Sequence, residues 1–332
     1  MLKPWWFVLL LSPFLPAQQP PVPPRPVESA ADSIPAGTLK VRTELVLVPV
    51  VVRDKQGKHI SGLTKDEFRL EENGQDQVVS LFEEVKAEIP DPVPTPIVDR
   101  GYSNLPFDNA RQLRLTIMVL DLLNTSPLQR TDGRDLLIKF LSKGLASNQP
   151  VSLLCLTSKD LQLVHPFTSD STLLISALKT LSLGSPKIMP RRDAAEKTLK
   201  QLTEIAQAYA GIPGRKTMIF AAGDIPEPML DRAAYPANLV AAEAFQLTFK
   251  SLIDANIAVY PFELMAWARD PTFRTHLERS YDQSLREFAD ATGGNRCIES
   301  NDLMKCFVEA VEDSRSYYML GFSVLADDRK PG

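Results

Sequence analysis

The stretch LTIMVLDLLNT, residues 115–125, decides the fold. An apolar run ends at Asp121, and Asn124 and Thr125 follow within four residues. A continuous apolar run that stops at a polar cluster predicts a buried parallel strand whose carboxyl end opens into a loop. Ligands of open α/β sheets bind at the carboxyl ends of strands. The polar residues after this strand are therefore the first candidates for a functional site.

Two interpretations of this polar cluster stand side by side. Asp121, Asn124 and Thr125 carry small oxygen donors of the kind that Mg²⁺ prefers. Residues of the same types also cap turns and helices through hydrogen bonds to the backbone. The spacing alone does not distinguish a cation site from a hydrogen-bonded turn.

Composition and motifs limit the classes of function. The 332 residues are 44% apolar and 23% charged, which is typical of a folded globular protein. A net charge of −4 gives no support for a nucleic-acid partner. The sequence has no G-x-S-x-G elbow and no P-loop, and His59, His165 and His276 lack metal-ligand spacing. A hydrolase on an α/β sheet, with a triad built from distant residues, is the less favoured alternative.

The N-terminus has the pattern of a secretory signal peptide over residues 1–17. Lys3 gives a basic start, the apolar stretch from Trp5 to Leu15 is too short to span a bilayer, and Ala17 closes the predicted cleavage site. A short membrane anchor is the alternative. Residues 18–37 are proline-rich and predict an extended tether. We expect the mature chain to be secreted or periplasmic, without a membrane span, in an oxidising compartment.

Residues 38–86 predict a small β module. Asn73-Gly74 is a two-residue hairpin signal, with a return strand expected through Leu81 and Phe82. Thr64 is predicted to cap a short helical turn. A module of about 50 residues buries little core, so we expect it to dock on the larger domain or to borrow strands from elsewhere in the chain. Residues 87–112 contain several prolines and predict an exposed linker.

Helical and strand patterns alternate over residues 113–324 and predict one α/β domain, followed by a polar tail at 325–332. We predict strands at 115–120, 151–156, 161–164, 216–221, 257–262, 296–298 and 316–324. We predict helices at 132–146, 170–181, 192–210, 238–255, 279–291 and 301–313. This spacing predicts a doubly wound, mostly parallel sheet with helices on both faces.

Six segments together resemble the von Willebrand factor A-related secreted proteins of the Acidobacteria type. They are LVPVVVRDKQGKHISGLTKDEFRLEENG (47–74), IMVLDLLNT (117–125), PGRKTMIF (213–220), ANIAVYPFE (255–263), ATGG (291–294) and YYMLGF (317–322). Their order and spacing carry the resemblance, which covers residues 40–324. It implies a von Willebrand A-type α/β domain preceded by a small β module.

The resemblance also implies a metal-ion-dependent adhesion site for Mg²⁺ or Mn²⁺. In such domains the site uses Asp-x-Ser-x-Ser on a first loop, a Thr on a second loop and an Asp on a third. Asp121 matches the first Asp and Thr125 the second hydroxyl. Leu123 stands where the first Ser belongs, and Ala222 stands where the third-loop Asp belongs.

Weaker substitutes for the missing ligands are Asn124 on the first loop, Ser185 on the second and Asp224 on the third. The implied site is therefore degenerate. If it holds a cation, an acidic group of a protein partner completes the metal shell; if it is inactive, there is no cofactor.

We accordingly expect a secreted, non-catalytic protein-binding or adhesion module, with a cell-envelope assembly factor as the alternative. Cys297 lies on a predicted strand, and Cys306 lies on the helix after it. In an oxidising compartment these two cysteines could form a disulfide. Sequence alone leaves that pairing open. Cys155 lies inside an apolar strand, which favours a buried thiol.

Overall fold

The apolar run before Asp121 forms the central strand of a five-stranded sheet in the computed structural model of the chain. The structure describes residues 43–55, 58–87, 114–143, 149–184, 190–223, 237–264, 278–295 and 303–325. The predicted signal peptide, tether and strand 296–298 lie outside these residues, as do nearly all of the predicted linker and tail. Among the described residues, none of the helices combines the length and the apolar character of a membrane-spanning segment.

The described residues form the following elements. The strands are β1 Thr43–Val50, β2 Leu70–Glu72, β3 Gln75–Gln77, β4 Leu81–Lys86, β5 Leu115–Asp121, β6 Val151–Leu156, β7 Leu161–Thr168, β8 Lys216–Ala222, β9 Ile257–Glu263 and β10 Ser316–Leu325. The helices are α1 Pro127–Lys143, α2 Ser171–Thr180, α3 Arg191–Tyr209, α4 Ala237–Asp254, α5 Glu278–Thr292 and α6 Leu303–Asp313. A short 3-10 helix covers Lys65–Glu67.

The main sheet has the strand order β7-β6-β5-β8-β9. All its pairs are parallel except that of β7, an antiparallel edge strand. All seven residues of β5 are buried, as expected for a central parallel strand that is covered on both faces. The prediction of a doubly wound, mostly parallel sheet is confirmed.

Helices cover both faces of this sheet. One core contains Leu202 of α3, Phe249 of α4 and Phe288 of α5, packed on alternate residues of β5 and β8. The opposite core contains Phe140 of α1 and Phe307 of α6, together with side chains from α2. The sheet is therefore buried between two apolar layers, and its polar residues concentrate at the ends of the strands.

Helix α1 begins five residues earlier than the predicted start at residue 132. Its first turn is fixed by a capping box in which Ser126 N–H donates to Gln129 Oε1 at 2.6 Å and Gln129 N–H donates to Ser126 Oγ at 3.3 Å. Pro127 takes the first helical position, where its missing N–H has no effect. The apolar periodicity that predicted the helix starts only after this polar turn. The early start leaves a short loop, residues 122–126, between β5 and α1.

Strand β10 lies in a different sheet from the one predicted. The sequence pattern assigned it to the α/β domain, but it is the central strand of an antiparallel sheet with the order β1-β10-β4. Its residues alternate between two faces, and Tyr318, Leu320 and Phe322 share one of them. The β module therefore borrows a strand from the far end of the chain, one of the two arrangements that its small size predicted.

The rest of the module follows its local signals, with one correction. Asn73 and Gly74 have φ angles of 51° and 76° and turn β2 into β3, which confirms the predicted hairpin. Glu67 accepts a hydrogen bond from the Thr64 backbone N–H at the predicted helical turn. The predicted return strand is wrong beyond Gln77, because Leu81 and Phe82 belong to β4 and pair with β10. Pairing with a strand about 240 residues away could not be read from local sequence.

Tyr318 of β10 joins the parts of the β module. Its ring is fully buried against Phe68, Phe82 and His59, with ring centroids 5.1, 5.7 and 5.9 Å away. Its hydroxyl donates to the Ile60 carbonyl and accepts from the Leu63 N–H, both at 3.0 Å. The side chain thereby ties the irregular segment after β1 to the borrowed strand.

We expect Tyr318→Phe to destabilise the chain by about 1–2 kcal/mol, because two backbone groups lose their shared partner. Amide hydrogen exchange at Leu63 should accelerate. The matched control is Tyr209→Phe, which removes a hydroxyl bonded to Ser152 at 3.0 Å in the α/β domain. That change should leave the exchange of Leu63 as in the wild type; equal acceleration in both variants would contradict the role of Tyr318.

Candidate functional site

The candidate site lies at the carboxyl end of β5, in the middle of the main sheet. Asp121 is the last residue of the strand, and its exposed fraction is 0%. The neighbouring strands β6, β8 and β9 run parallel to β5 or to each other, so their carboxyl ends lie at the same edge. This edge is where a doubly wound sheet presents its ligand-binding loops.

The Asp121 carboxylate is bonded to the loop that follows it. Oδ1 accepts from the backbone N–H groups of Leu123 at 2.7 Å and Asn124 at 3.2 Å. Oδ2 accepts from the Asn124 side-chain amide at 2.7 Å. These are the turn-capping bonds of the second interpretation of the sequence, and both carboxylate oxygens take part in them.

Two side chains of helix α3 form hydrogen bonds to the loops at this end of the sheet. The Asn124 amide also donates to Thr198 Oγ1 at 2.7 Å. One turn further along α3, Gln201 bonds both the N–H and the carbonyl of Thr157, at 3.2 and 2.9 Å, just after β6. Thr198 and Gln201 are nearly inaccessible to solvent. They hold the loops after two adjacent strands in a fixed relation.

Arg130 of α1 makes a second connection across this edge. Its exposed fraction is 7%, and its Nε donates to the Thr125 carbonyl while Nη1 donates to the Leu183 carbonyl, both at 3.1 Å. Thr125 Oγ1 in turn donates to the Asp121 carbonyl at 2.5 Å. The buried guanidinium thus links the loop after β5 to the segment after α2 and places a positive charge near Asp121.

Sequence reasoning missed Arg130, Thr198 and Gln201. A signal was present in α3, where Thr198 and Gln201 interrupt the apolar face that Leu199 and Leu202 define. Polar residues on the buried face of a helix need partners, and the end of the sheet is where such partners lie. Arg130 has no comparable signal, since an arginine in a first helical turn is ordinarily exposed.

The first-loop residues predicted to bind a cation do not fit a Mg²⁺ shell as the structure places them. Asn124 directs an N–H toward Asp121 Oδ2, where a cation would need an oxygen. The Thr125 hydroxyl donates its proton to a backbone carbonyl. Leu123 packs against the apolar core. A cation would therefore have to displace existing hydrogen bonds.

The other two loops add no ligand among the described residues. Ala222 is fully buried in the core at the position of the third-loop Asp. Ser185 and Asp224, predicted as substitute ligands, lie outside the described residues. Within the described part of the chain, no group of three or more His, Cys, Asp or Glu residues is placed to hold a metal ion.

Burial shifts the pKa values of both charged side chains of the site, Asp121 and Arg130. Desolvation raises the pKa of Asp121 above its ordinary value of 3.8, while the hydrogen bonds from Asn124 and Leu123 and the charge of Arg130 act in the opposite direction. Burial also lowers the pKa of Arg130, and Asp121 partly restores it. The charges of Asp121 and Arg130 therefore partly offset the effect of burial on each other's pKa, although the two side chains are not joined by a hydrogen bond.

A close backbone approach fixes the distance between the loops after β5 and β8. A Cβ atom added at Gly223 would lie 2.2 Å from the Asn124 carbonyl oxygen. Only glycine allows the two backbones to pass at this separation. Asn124 of the loop after β5 is therefore packed directly against Gly223, the residue that follows β8.

Two further predicted features fall partly within the described residues. Cys306 of α6 is disulfide-bonded, and Cys155 is a free, buried thiol. Cys297, the predicted partner of Cys306, lies outside the described residues. His165 lies on β7, where the Ser152 hydroxyl donates to its backbone carbonyl at 3.2 Å, so this hydrogen bond does not form a serine–imidazole pair.

Comparison with known proteins gives weak similarities. No family model and no curated protein matches the chain. Among solved structures, an aerotolerance-related membrane protein from Bacteroides fragilis NCTC 9343 matches with a TM-score of 0.35 and 17% identity, over 60% of this chain and 98% of that chain. A von Willebrand factor type A structure from Catenulispora acidiphila matches at 0.37 and 16%, over 62% and 42%.

A third similar structure is the SpRpn10 VWA domain, with a TM-score of 0.32 and 14% identity, over 60% of this chain and 95% of that chain. Two of the three are thus named as von Willebrand factor A domains. Similarities at these scores carry no argument about the chain's function. The α/β class of the chain rests on its own sheet order and helical layers.

We expect Gly223→Ala to destabilise the chain by about 1–3 kcal/mol, because the added methyl group collides with a backbone carbonyl that cannot rotate away. The control is Gly211→Ala, where no atom lies within 4 Å of the added Cβ. Its effect should stay within about 0.5 kcal/mol. Chemical denaturation of both variants measures the difference, and equal stability would contradict the close approach.

The raised pKa of Asp121 predicts a pH dependence. A carboxyl group with a higher pKa in the folded than in the unfolded chain favours folding most at acid pH, and this contribution falls as the pH rises above about 4. We expect the unfolding free energy of the wild type, relative to Asp121→Asn, to decrease from about pH 4 to about pH 7. Urea unfolding of both proteins tests this, and a rising difference would show that the pKa is lowered instead.

Proposed function

We propose that the chain is an exported, non-catalytic protein-binding module that binds its partner through the loops at the carboxyl edge of the main sheet, without a metal ion. The observation that carries the proposal is the hydrogen-bonded network of Asp121, Asn124, Thr198 and Arg130 beneath these loops. A network of this kind holds a surface in one shape before the partner arrives, which lowers the entropic cost of binding.

The surface above the network has the character of a contact site. Leu128, in the first turn of α1, has an exposed fraction of 69%, and Ser126 beside it is also exposed. An exposed leucine next to a rigid polar turn provides apolar contact area at low conformational cost. The chemistry of the described site supports binding more than catalysis, since Asp121 is buried and bonded by its own loop.

Export is supported by the sequence and by one feature of the fold. The signal-peptide pattern of residues 1–17 predicts secretion. The disulfide at Cys306 agrees with an oxidising compartment, where such bonds persist. A permanent role in assembling the cell envelope would use the same surface as transient adhesion.

In this proposal the charge of Arg130 replaces that of the cation which the family resemblance implies. Arg130 already joins two loops of this edge and lies near Asp121. The partner then needs no carboxylate to complete a metal shell, and recognition depends on shape and apolar contact. A binding site with a bound Mg²⁺ would instead require an acidic group in the partner.

Titration with Mg²⁺ and Mn²⁺ tests the metal-free part of the proposal. We expect no saturable heat of binding and no rise in melting temperature, since a cation that binds only the folded state would raise it by mass action. Asp121→Ala is titrated in parallel. A saturable rise in the wild type that is absent in the variant would establish a metal site and overturn this part.

Site-specific photo-crosslinking tests the binding surface. A photoreactive amino acid at Leu128 should give a discrete protein adduct in cells that make the protein, and the adduct should persist in EDTA. The control position is Lys143, which is exposed at the opposite end of the same helix. Absence of an adduct at Leu128, or the same adduct at both positions, would contradict the proposed surface.

A further inference from the structure

A second candidate site lies between the β module and α6. A cavity of about 460 Å³ opens there, a volume within the range of small-molecule sites. Cationic and polar groups line it from the module and from the start of β10, and Val308 of α6, 40% exposed, adds an apolar wall. The lining residues used below are Lys58, His59, Lys86, Arg315 and Ser316.

The three acidic residues of the cavity are already paired with cations. Asp313 accepts from Arg53 Nε at 2.8 Å and from the Tyr260 hydroxyl at 2.5 Å. Glu312 accepts from Arg114 at 2.9 Å and Arg315 at 3.2 Å. Glu309 lies 3.7 Å from Lys305 Nζ. The charges of Asp313 and Glu312 are therefore balanced by close cations, while Glu309 and Lys305 form a longer pair.

The cations of the β module are less well compensated. Lys58 is exposed and makes no ion pair with the described residues. Among the described residues, the ion-pair partner of Lys86 is Glu84, at a distance of 3.8 Å. Burial lowers the pKa of His59 most; among the charges, Glu84 raises it, and Arg53 and Lys86 lower it. Among the described residues of the cavity wall, Lys58 and Lys86 are thus the cations least compensated by a close carboxylate.

Two polar side chains of the cavity wall have no hydrogen-bond partner among the described residues. Both ring nitrogens of His59 and the Oγ of Ser316 are covered by protein and unbonded. The ring stacks on Tyr318 with a centroid distance of 5.9 Å and an interplanar angle of 27°. Buried polar atoms without partners destabilise a fold, so these two groups are suited to a ligand that supplies the missing bonds.

We propose that this cavity binds a small organic anion, whose carboxylate or phosphate group lies between Lys58 and Lys86 and accepts hydrogen bonds from His59 and Ser316. The apolar part of the ligand packs on Val308. Because the ring nitrogens lie just beneath the wall, binding includes a rotation of the His59 imidazole toward the cavity. The site is independent of the loops around Asp121 and of the partner proposed for them.

NMR of the histidine rings tests this proposal on the whole chain. The sequence has three histidines, His59, His165 and His276, so three His→Gln variants assign the ring signals. The probes are inorganic phosphate and succinate, each titrated at constant pH and at an ionic strength held constant with NaCl. We expect a saturable shift of the His59 signals alone. A response to one probe only identifies the anionic group as phosphate or carboxylate.

The double variant Lys58→Gln/Lys86→Gln should bind the effective probe at least about tenfold more weakly, since charge-assisted hydrogen bonds are lost. The control is Lys200→Gln/Lys250→Gln, which neutralises two lysines on α3 and α4 that form i,i+4 ion pairs away from the cavity. An unsaturable His59 shift, the same shift with NaCl alone, or equal affinity in the two double variants would overturn the proposal.

Discussion

The carboxylate of Asp121 ends a strand that has no exposed residue, so its partners have to come from the protein itself. Removing a carboxylate from water costs several kcal/mol unless donors surround it. The loop supplies three N–H groups, and Arg130 supplies a positive charge nearby. This requirement determines the shape of residues 122–126. Thr198 accepts a hydrogen bond from Asn124 of this loop, and Gly223 lies against the Asn124 carbonyl.

The hydrogen bonds that meet this requirement differ from the ligand arrangement of a metal-ion-dependent adhesion site. A cation shell needs oxygen donors directed at one point. Here an amide N–H approaches the carboxylate, Leu123 packs against the apolar core, and Ala222 is buried in it. The described residues thus stabilise the buried charge with hydrogen bonds, and a guanidinium links the loops. Such a surface is suited to partners that match its shape.

Strand β10 makes the fold depend on both ends of the described chain. It lies between β1 and β4, so the N-terminal module has no central strand until the C-terminal residues arrive. The Arg53–Asp313–Tyr260 contacts join the module to α6 and β9 of the α/β domain, beside the cavity that we propose binds an anion. An anion bound in that cavity would contact residues from both parts of the fold.

The sequence by itself determined the elements whose causes are local. Apolar runs and periodicity defined the buried strands and most helices, and Asn73-Gly74 defined a hairpin, because these signals act within a few residues. Asp121 was placed correctly at the end of the central strand for the same reason. The start of α1 was missed because its first turn is polar and is held by a capping box instead of apolar packing.

Tertiary structure alone decided which distant groups meet. The pairing of β10 with β1 and β4 and the contacts of Thr198 and Arg130 with the Asp121 loop join residues far apart in the chain or on different helices. Asp121, Asn124 and Thr125 suit both a cation and a hydrogen-bonded turn, because each carries oxygen atoms that serve either role. In this structure the surrounding donors bind them in a hydrogen-bonded turn, and only the folded chain brings those donors within hydrogen-bond distance.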